Sequence, residues 1–119
     1  MKAIVVKTNG DIEVIDQEWN YDQINKAVGG WIEVIRFAEY PDHFAYINEE
    51  GKIIGLEPNE LVTQYWYESG TKVLLGDYIA GDAVFFGEID DEGNNTDVPG
   101  DVLLRLNALK AVIFGGGEF

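Results

Sequence analysis

The chain has 119 residues, 46% of them hydrophobic and none of them cysteine, so it can bury a core but cannot form disulfides or thiolate metal sites. Its 22 acidic residues against 8 basic ones give a formal charge of −14. This charge disfavours direct binding to nucleic-acid backbones or to anionic membranes, because both require clustered Lys and Arg.

Length and hydropathy predict one domain over residues 1–119, with residues 115–119 as a flexible glycine-rich tail. The opening apolar run is only four residues long and ends at Asn9-Gly10, which is not typical of a signal peptide. No stretch approaches the roughly 18 apolar residues of a membrane span. We therefore expect a cytoplasmic protein.

Runs of β-branched residues alternate with amphipathic segments, and single glycines or the pair Gly29-Gly30 separate many of them. The predicted elements, in chain order, are a hairpin of strands 2–7 and 11–16, a helix from Asn20 to Gly29, strands 31–37, 44–48 and 52–54, a helix over 58–69, a strand over 83–89 and a helix over 97–109, with candidate short strands at 73–75 and 111–114.

Local signals support most of these boundaries. Asn9-Gly10 is a two-residue hairpin signal, and Asn20 with Gln23 forms a capping-box pattern at a helix start. Pro41-Asp42 predicts a turn, and Gly51 is expected to supply a positive φ in the tight turn over residues 48–51.

The strand over residues 31–37 is apolar on both faces apart from Glu33 and Arg36, which predicts a central position in the sheet. The fold class that follows is α+β: a mainly antiparallel, twisted sheet of five to seven strands with two or three packed helices. A small, partly closed β-barrel with helical insertions is the alternative.

Four segments together resemble a small acidic family of unknown function that phages, plasmids and other mobile elements carry. They are VGGWIEV at 28–34, NEEGK at 48–52, GL at 55–56 followed by Asn59, and GDAV at 81–84. The resemblance spans roughly residues 20–90 and implies a mobile-element origin and a host-cytoplasm setting. It implies no reaction and no site.

A mixed polar set offers the best candidate ligand site. Asn48 and Asn59 each carry donors and acceptors, Glu33 is an acceptor, and Lys52 and Arg36 are among the few cations. Lys52, or the helix start at Pro58, could meet an anionic group of a small ligand. The alternative is structural: Asn48 caps a turn, Asn59 satisfies backbone at the helix start, and Lys52 is exposed.

The helix over 58–69 carries three consecutive aromatic residues, Tyr65, Trp66 and Tyr67. They are interpreted as core residues, as an oligomer interface or as a stacking platform for a ligand.

Catalytic and metal-binding patterns are weak. His43 is the only histidine, and a general base is conceivable only if it converges with Asp42, Glu33 or Asp82; a surface or packing role is favoured. The acidic run from Asp90 to Asp97 fails the EF-hand pattern, because its sixth residue is Asn rather than Gly. No cofactor and no metal are expected.

Three functions follow from these patterns. The first is a non-enzymatic accessory protein, expected to be a homo-oligomer, that sequesters a small nucleotide-like signal as counter-defence. The second uses the charge: an acidic protein blocks a basic host protein surface or mimics DNA charge. A small hydrolase or transferase comes third. Simple solubility is a further explanation of the charge.

Overall fold

The computed structural model describes residues 1–115 and folds them into five strands and three helices. The elements in chain order are β1 (Lys2–Val6), β2 (Ile12–Asp16), α1 (Tyr21–Val28), β3 (Ile32–Phe37), β4 (Tyr40–Asn48), α2 (Glu60–Glu68), β5 (Ala83–Gly87) and α3 (Gly100–Phe114). The sheet order is β2-β1-β5-β4-β3, and every neighbouring pair is antiparallel. The predicted α+β class is confirmed. The barrel alternative is wrong, because the sheet is open and ends in β2 and β3.

Strand β5 lies at the centre of the sheet, and all five of its residues are buried. It pairs with β1 on one side and β4 on the other. Its side chains alternate between two cores: Phe85 belongs to the core beneath α2 and α3, and Phe86 to the core beneath α1. This burial on both faces explains a strand without a single polar side chain.

The three helices cover the two faces unequally. Helix α1 contributes Ile24 and Val28 to one core, where the Trp19 ring meets Phe86 edge to face at 5.6 Å. The larger core, on the other face, contains three residues from each of the other helices: Leu61, Val62 and Tyr65 of α2 and Val102, Leu106 and Leu109 of α3.

The predictions for the first 29 residues are confirmed. Strands β1 and β2 form the hairpin, with Gly10 at φ 93° in its turn. Helix α1 starts with a capping box, in which the Asn20 side chain and the Gln23 side chain each accept a backbone N–H from the other residue. Gly29 closes the helix in the left-handed conformation.

The prediction that residues 31–37 form a central strand is wrong, since β3 is an edge strand. Its apolar side chains are divided: Ile35 and Phe37 are buried, whereas Trp31, just before the strand, and Val34 are exposed. A strand that is apolar on both faces is usually covered on both faces and lies inside the sheet. In β3, helix α1 does not cover Val34, which remains exposed to solvent.

The predicted turn at Pro41-Asp42 is also wrong, because both residues lie inside β4. The chain turns instead at residues 38–39, and the register of β3 and β4 shifts between Arg36 and Phe37. The shifted register admits Pro41 near the start of the strand, where a missing backbone donor is tolerated.

The predicted strands over residues 52–54 and 73–75 are loops. Residues 49–55 form successive turns, and Gly51 does not have the positive φ that was expected. A Cβ at Gly51 would lie 2.8 Å from the backbone oxygen of Ala80, so glycine is required there for the close approach of two loops. We refer to residues 49–57 as the first loop and to residues 71–80 as the second loop.

The last helix differs from its prediction at both ends. Helix α3 begins at Gly100 rather than 97, and it continues to Phe114, so residues 111–114 are helical rather than a strand. Gly115 caps the helix through its N–H to Ala111. The rest of the expected tail, residues 116–119, lies outside the described residues. Among the helices of residues 1–115, none has both the length and the hydropathy of a membrane span.

Asn59 ties three parts of the fold together. Its side-chain oxygen accepts the Val62 N–H at 3.1 Å and so caps α2, and its amide donates to the carbonyls of Val6 and Gly81, each at 3.0 Å. The residue is completely buried. One side chain therefore links the end of β1, the entry to β5 and the first turn of α2.

Replacing Asn59 by Ala removes the cap and two buried hydrogen bonds, and we expect a loss of about 3 kcal/mol in the free energy of unfolding. Asn20→Ala is the matched control: it removes the cap of α1 at an exposed position, for which a loss of about 1 kcal/mol is expected. Urea unfolding followed by circular dichroism measures both, and equal losses for the two variants would contradict the role given to Asn59.

Candidate functional site

Four of the predicted site residues lie around one cavity of about 270 Å³, which we call the loop pocket. Glu33 of β3, Asn48 at the end of β4, Lys52 of the first loop and Trp66 of α2 line it. The remaining lining residues include Ile53, Asp77, Tyr78 and Ala80. The pocket therefore lies where the two loops meet the edge of the sheet and one side of α2.

The two loops are fastened to each other and to α2. Lys52 forms an ion pair with Asp77, and its ammonium group lies 4.8 Å from the centre of the Tyr78 ring. The hydroxyl of Tyr67 donates to the carbonyl oxygen of Asp77. The Lys52 ammonium and hydrogen bonding lower the pKa of the Asp77 carboxyl, against a smaller effect of burial. Lys52 is thus already partnered within the protein.

The two asparagines serve the fold. Asn48 is buried, donates to the carbonyl of Val28 at 3.2 Å and accepts the Glu50 N–H at 2.8 Å, so it joins the end of α1 to the first loop. The side-chain oxygen and the amide nitrogen of Asn59 both form hydrogen bonds with backbone groups. It does not line the loop pocket, and its cap occupies the start of α2, where a ligand anion was expected to bind.

Arg36 lies away from the pocket, although β3 carries it. Its guanidinium is 3.4 Å from the Glu88 carboxylate and 5.4 Å from the centre of the Phe44 ring. Phe44 belongs to the core beneath α1, whereas Glu33 and Ile35 of the same strand line the pocket. Alternation of side chains along a strand places residues 33 and 36 on opposite faces.

The aromatic triplet divides into three environments. Tyr65 is buried in the larger core, Trp66 is half-buried at the loop pocket, and Tyr67 is half-buried and holds the second loop. Consecutive helical residues point about 100° apart, so no single surface can contain all three. Of the three, only Trp66 lines the loop pocket.

The outer sides of both loops expose apolar residues. Ile53 is 83% exposed, Leu74 is 81% exposed and Leu75 is fully exposed, while Ile54 and Tyr78 are also open to solvent. We call these five residues the loop surface. Ile53, Ile54, Leu74 and Leu75 lie in the two segments predicted to be strands, because a short apolar run has the same pattern whether it is buried or exposed.

A polar chain, Asp42–His43–Tyr65, runs from the exposed Asp42 carboxylate to the buried Tyr65 hydroxyl beneath α2. His43 is completely buried, with its Nδ1 2.7 Å from the Asp42 carboxylate and its Nε2 2.9 Å from the Tyr65 hydroxyl. Since a carboxylate only accepts, Nδ1 carries the proton, and Nε2 of the neutral ring accepts the hydroxyl proton of Tyr65. Burial lowers the pKa of His43, although Asp42 opposes this, and burial raises the pKa of Tyr65 to about 12.

The sequence pattern did not predict this chain, because His43 fell between the predicted turn at Pro41-Asp42 and the predicted strand over residues 44–48. The available signal was alternation: His43, Ala45 and Ile47 lie on one side of β4 and face the larger core. Of the partners considered for His43, the structure brings only Asp42 to it. Asp82 instead accepts the Thr8 N–H at 3.0 Å, and Glu33 lies at the loop pocket. A fully buried imidazole cannot contact a substrate at the surface.

The acidic run from Asp90 to Asp97 is organised by its own backbone. One Asp90 carboxylate oxygen accepts the N–H groups of Glu92 and Asn94, each at 2.9 Å. Asp97 accepts the Lys2 N–H at 2.9 Å. Residues 1–115 contain no group of three or more His, Asp or Glu side chains that could hold a metal ion.

Comparison with known proteins gives one match. The model of a family described as a domain of unknown function, DUF3846, matches residues 1–109. No curated protein and no solved structure matches the chain. The expected membership of a family of unknown function is confirmed, and the matched residues include the N-terminal hairpin.

The buried His43 predicts a stability that depends on pH. Because its pKa is below its ordinary value of 6.5 in the folded state, the unfolded chain binds the proton more readily. The stabilisation is complete above about pH 6.5 and is lost as the pH falls toward the lower folded pKa, at up to about 1.4 kcal/mol per pH unit. Urea unfolding between about pH 7.5 and 5 measures this slope.

His43→Gln is the control, since glutamine does not titrate and the contribution of the carboxyl groups is common to both proteins. We expect the variant to be less stable at pH 7.5 and to have a flatter pH dependence. Identical slopes in the two proteins would show that His43 does not resist protonation.

Proposed function

Because the chain belongs to the DUF3846 family of domains of unknown function, we propose its role from the site alone: it binds a basic protein partner through the loop surface. The observation that carries this proposal is the exposure of five large apolar side chains on two adjoining loops. Contiguous exposed apolar residues with a polar rim are typical of protein interaction sites.

The loop surface is held in place before any partner arrives. The ion pair of Lys52 with Asp77, the Tyr67 hydroxyl and the close contact of Gly51 with Ala80 fix the two loops against each other and against α2. Preorganised loops lose less conformational entropy on binding than flexible ones, which favours affinity.

Charge indicates what kind of partner fits. Glu33 and Glu49 line the adjoining pocket, and Lys52 is paired with Asp77, so the rim carries a surplus of negative charge. The whole chain has a formal charge of −14. Complementary charge speeds association and excludes wrong partners. A partner with apolar side chains flanked by Lys and Arg matches this surface.

The edge of the sheet adds a second means of attachment. The outer side of β3 has no partner strand within residues 1–115, and Glu33 of that strand lies at the loop pocket. Free backbone donors and acceptors on an edge strand can pair with an extended segment of another protein.

The setting follows from the resemblance to mobile-element proteins. There, the partner would be a basic protein of the host cytoplasm, and binding would block its surface as a form of counter-defence. Charge mimicry of DNA is the extreme case. A homo-oligomer is the competing occupant of the loop surface, but two copies at −14 each repel one another.

Sequestration of a small nucleotide-like signal is the second candidate. The loop pocket favours it through the Trp66 and Tyr78 rings and the single cation Lys52. A base could stack there. The carboxylates of Glu33, Glu49 and Asp77 oppose a phosphate group, which is why the protein partner is preferred.

Substituting Leu74 and Leu75 together by Ser removes the most exposed part of the loop surface. We expect the amount of partner captured from host lysate to fall about tenfold or more. The matched control replaces Val14 of β2 and Leu104 of α3 by Ser, since both are exposed apolar residues outside the two loops. Quantitative mass spectrometry of the captured proteins at low and high salt measures the difference.

Partner capture should also fall with added salt, because the partner is basic. Equal capture by the Leu74/Leu75 variant and the control would contradict the proposal. A titration with mononucleotides and dinucleotides distinguishes the second candidate: saturable binding that Trp66→Ala abolishes, without any protein captured, would favour the small signal instead.

A further inference from the structure

A second cavity, of about 300 Å³, lies between α2, α3 and the start of β4, apart from the loop pocket. One part of its wall is polar and aromatic, formed by Tyr40, Tyr65 and Arg105. The other part is mainly aliphatic, formed by Ala108, Leu109 and Val112 of α3. A wall with one cation beside an apolar strip suits a small molecule with a charged head and an apolar body.

Two contacts hold the Arg105 guanidinium in place, but they do not use all of its hydrogen-bond donors. Its guanidinium lies 4.2 Å from the centre of the Tyr40 ring, and Nη2 is 2.9 Å from the Asp101 carboxylate, one turn earlier on α3. Its Nη1 atom is buried and makes no hydrogen bond of ordinary geometry among residues 1–115, although the side chain as a whole is partly exposed. Despite its desolvation, the neighbouring Tyr65 hydroxyl and the Asp101 charge raise the pKa of Arg105. A buried charged donor without an acceptor is costly, so an acceptor supplied by a ligand would be stabilised there.

The Asp42–His43–Tyr65 chain determines whether the Tyr65 hydroxyl can donate to a ligand in the cavity. Because the Tyr65 hydroxyl donates to His43, the phenol oxygen is left as an acceptor. The donor that faces an anionic ligand is therefore the guanidinium. Planar guanidinium groups recognise carboxylates more selectively than an ammonium group does.

The charges around the cavity limit the ligand to a single negative charge. Asp101 already neutralises part of the Arg105 charge, and Glu68 also lines the cavity. A phosphate dianion would be repelled by both carboxylates. The volume is at the lower end of the roughly 300–1,000 Å³ typical of small-molecule sites, which favours a short ligand.

We propose that this cavity binds a small monocarboxylate with a short apolar chain. The carboxylate accepts from Nη1 of Arg105, and the chain packs against Leu109 and Val112. This site is separate from the loop surface, so either proposal can fail without the other.

The test is isothermal titration of the full chain with 4-methylpentanoate, 4-methylpentan-1-ol and inorganic phosphate. We expect saturable binding of the acid, binding of the alcohol weaker by about tenfold or more, and none of phosphate. Arg105→Gln should lower the affinity for the acid about tenfold or more, because it removes the charged donor. Arg36→Gln is the matched control, since Arg36 also pairs with a carboxylate and lies over a ring but does not line the cavity.

Ala108→Leu is a second variant, which fills the cavity and leaves Arg105 in place. It should also lower the affinity for the acid. Binding of the acid to Arg36→Gln should match that of the unaltered protein. The proposal is overturned if the unaltered protein does not bind 4-methylpentanoate saturably, if the alcohol or phosphate binds as tightly as the acid, or if both cavity variants bind like the control.

Discussion

The burial of β5 on both faces is the constraint on which the rest of the structure depends. All five of its residues are buried, and four of them divide between two cores, so a helix layer must cover each side of the sheet. The antiparallel partners β1 and β4 satisfy its backbone. Asn59 then joins the end of β1 and the entry to β5 to the start of α2. Because a buried side chain makes these bonds, the positions of the central strand and of the second helix depend on each other.

The same constraint decides which polar residues are free to act. Asn48 and Asn59 are used to join elements, and the Asp42–His43–Tyr65 chain satisfies polar groups beneath α2. Accessible polar groups do line the loop pocket and the cavity beside α3. Loops carried by a rigid scaffold are common places for binding. We propose that a basic protein binds at the loop surface and that a monocarboxylate binds beside Arg105.

Much of the fold could be predicted from the sequence, because its signals are local. The Asn9-Gly10 hairpin, the capping box of α1 and the strand centred on Val84 to Phe86 depend on a few neighbouring residues. The errors concern long-range facts. The apolar pattern of β3 is that of a central strand, but strand order depends on pairing partners distant in sequence. Ile53, Ile54, Leu74 and Leu75 are exposed on loops, and a short apolar run in the sequence does not distinguish exposure on a loop from burial in a strand. The structure places Glu33, Asn48, Lys52 and Trp66 around one pocket, whereas Arg36 lies on the opposite face of β3; which side chains converge depends on contacts between residues distant in sequence.

Photo-crosslinking inside the host cell tests most directly the central claim that this protein works through its loop surface. A photoreactive amino acid is placed at Leu75, and in a second protein at Leu104, which is exposed on α3. The account predicts that position 75 crosslinks to a basic protein in stoichiometric amounts and that position 104 does not. Crosslinks from position 104 alone, or from neither position, would contradict it.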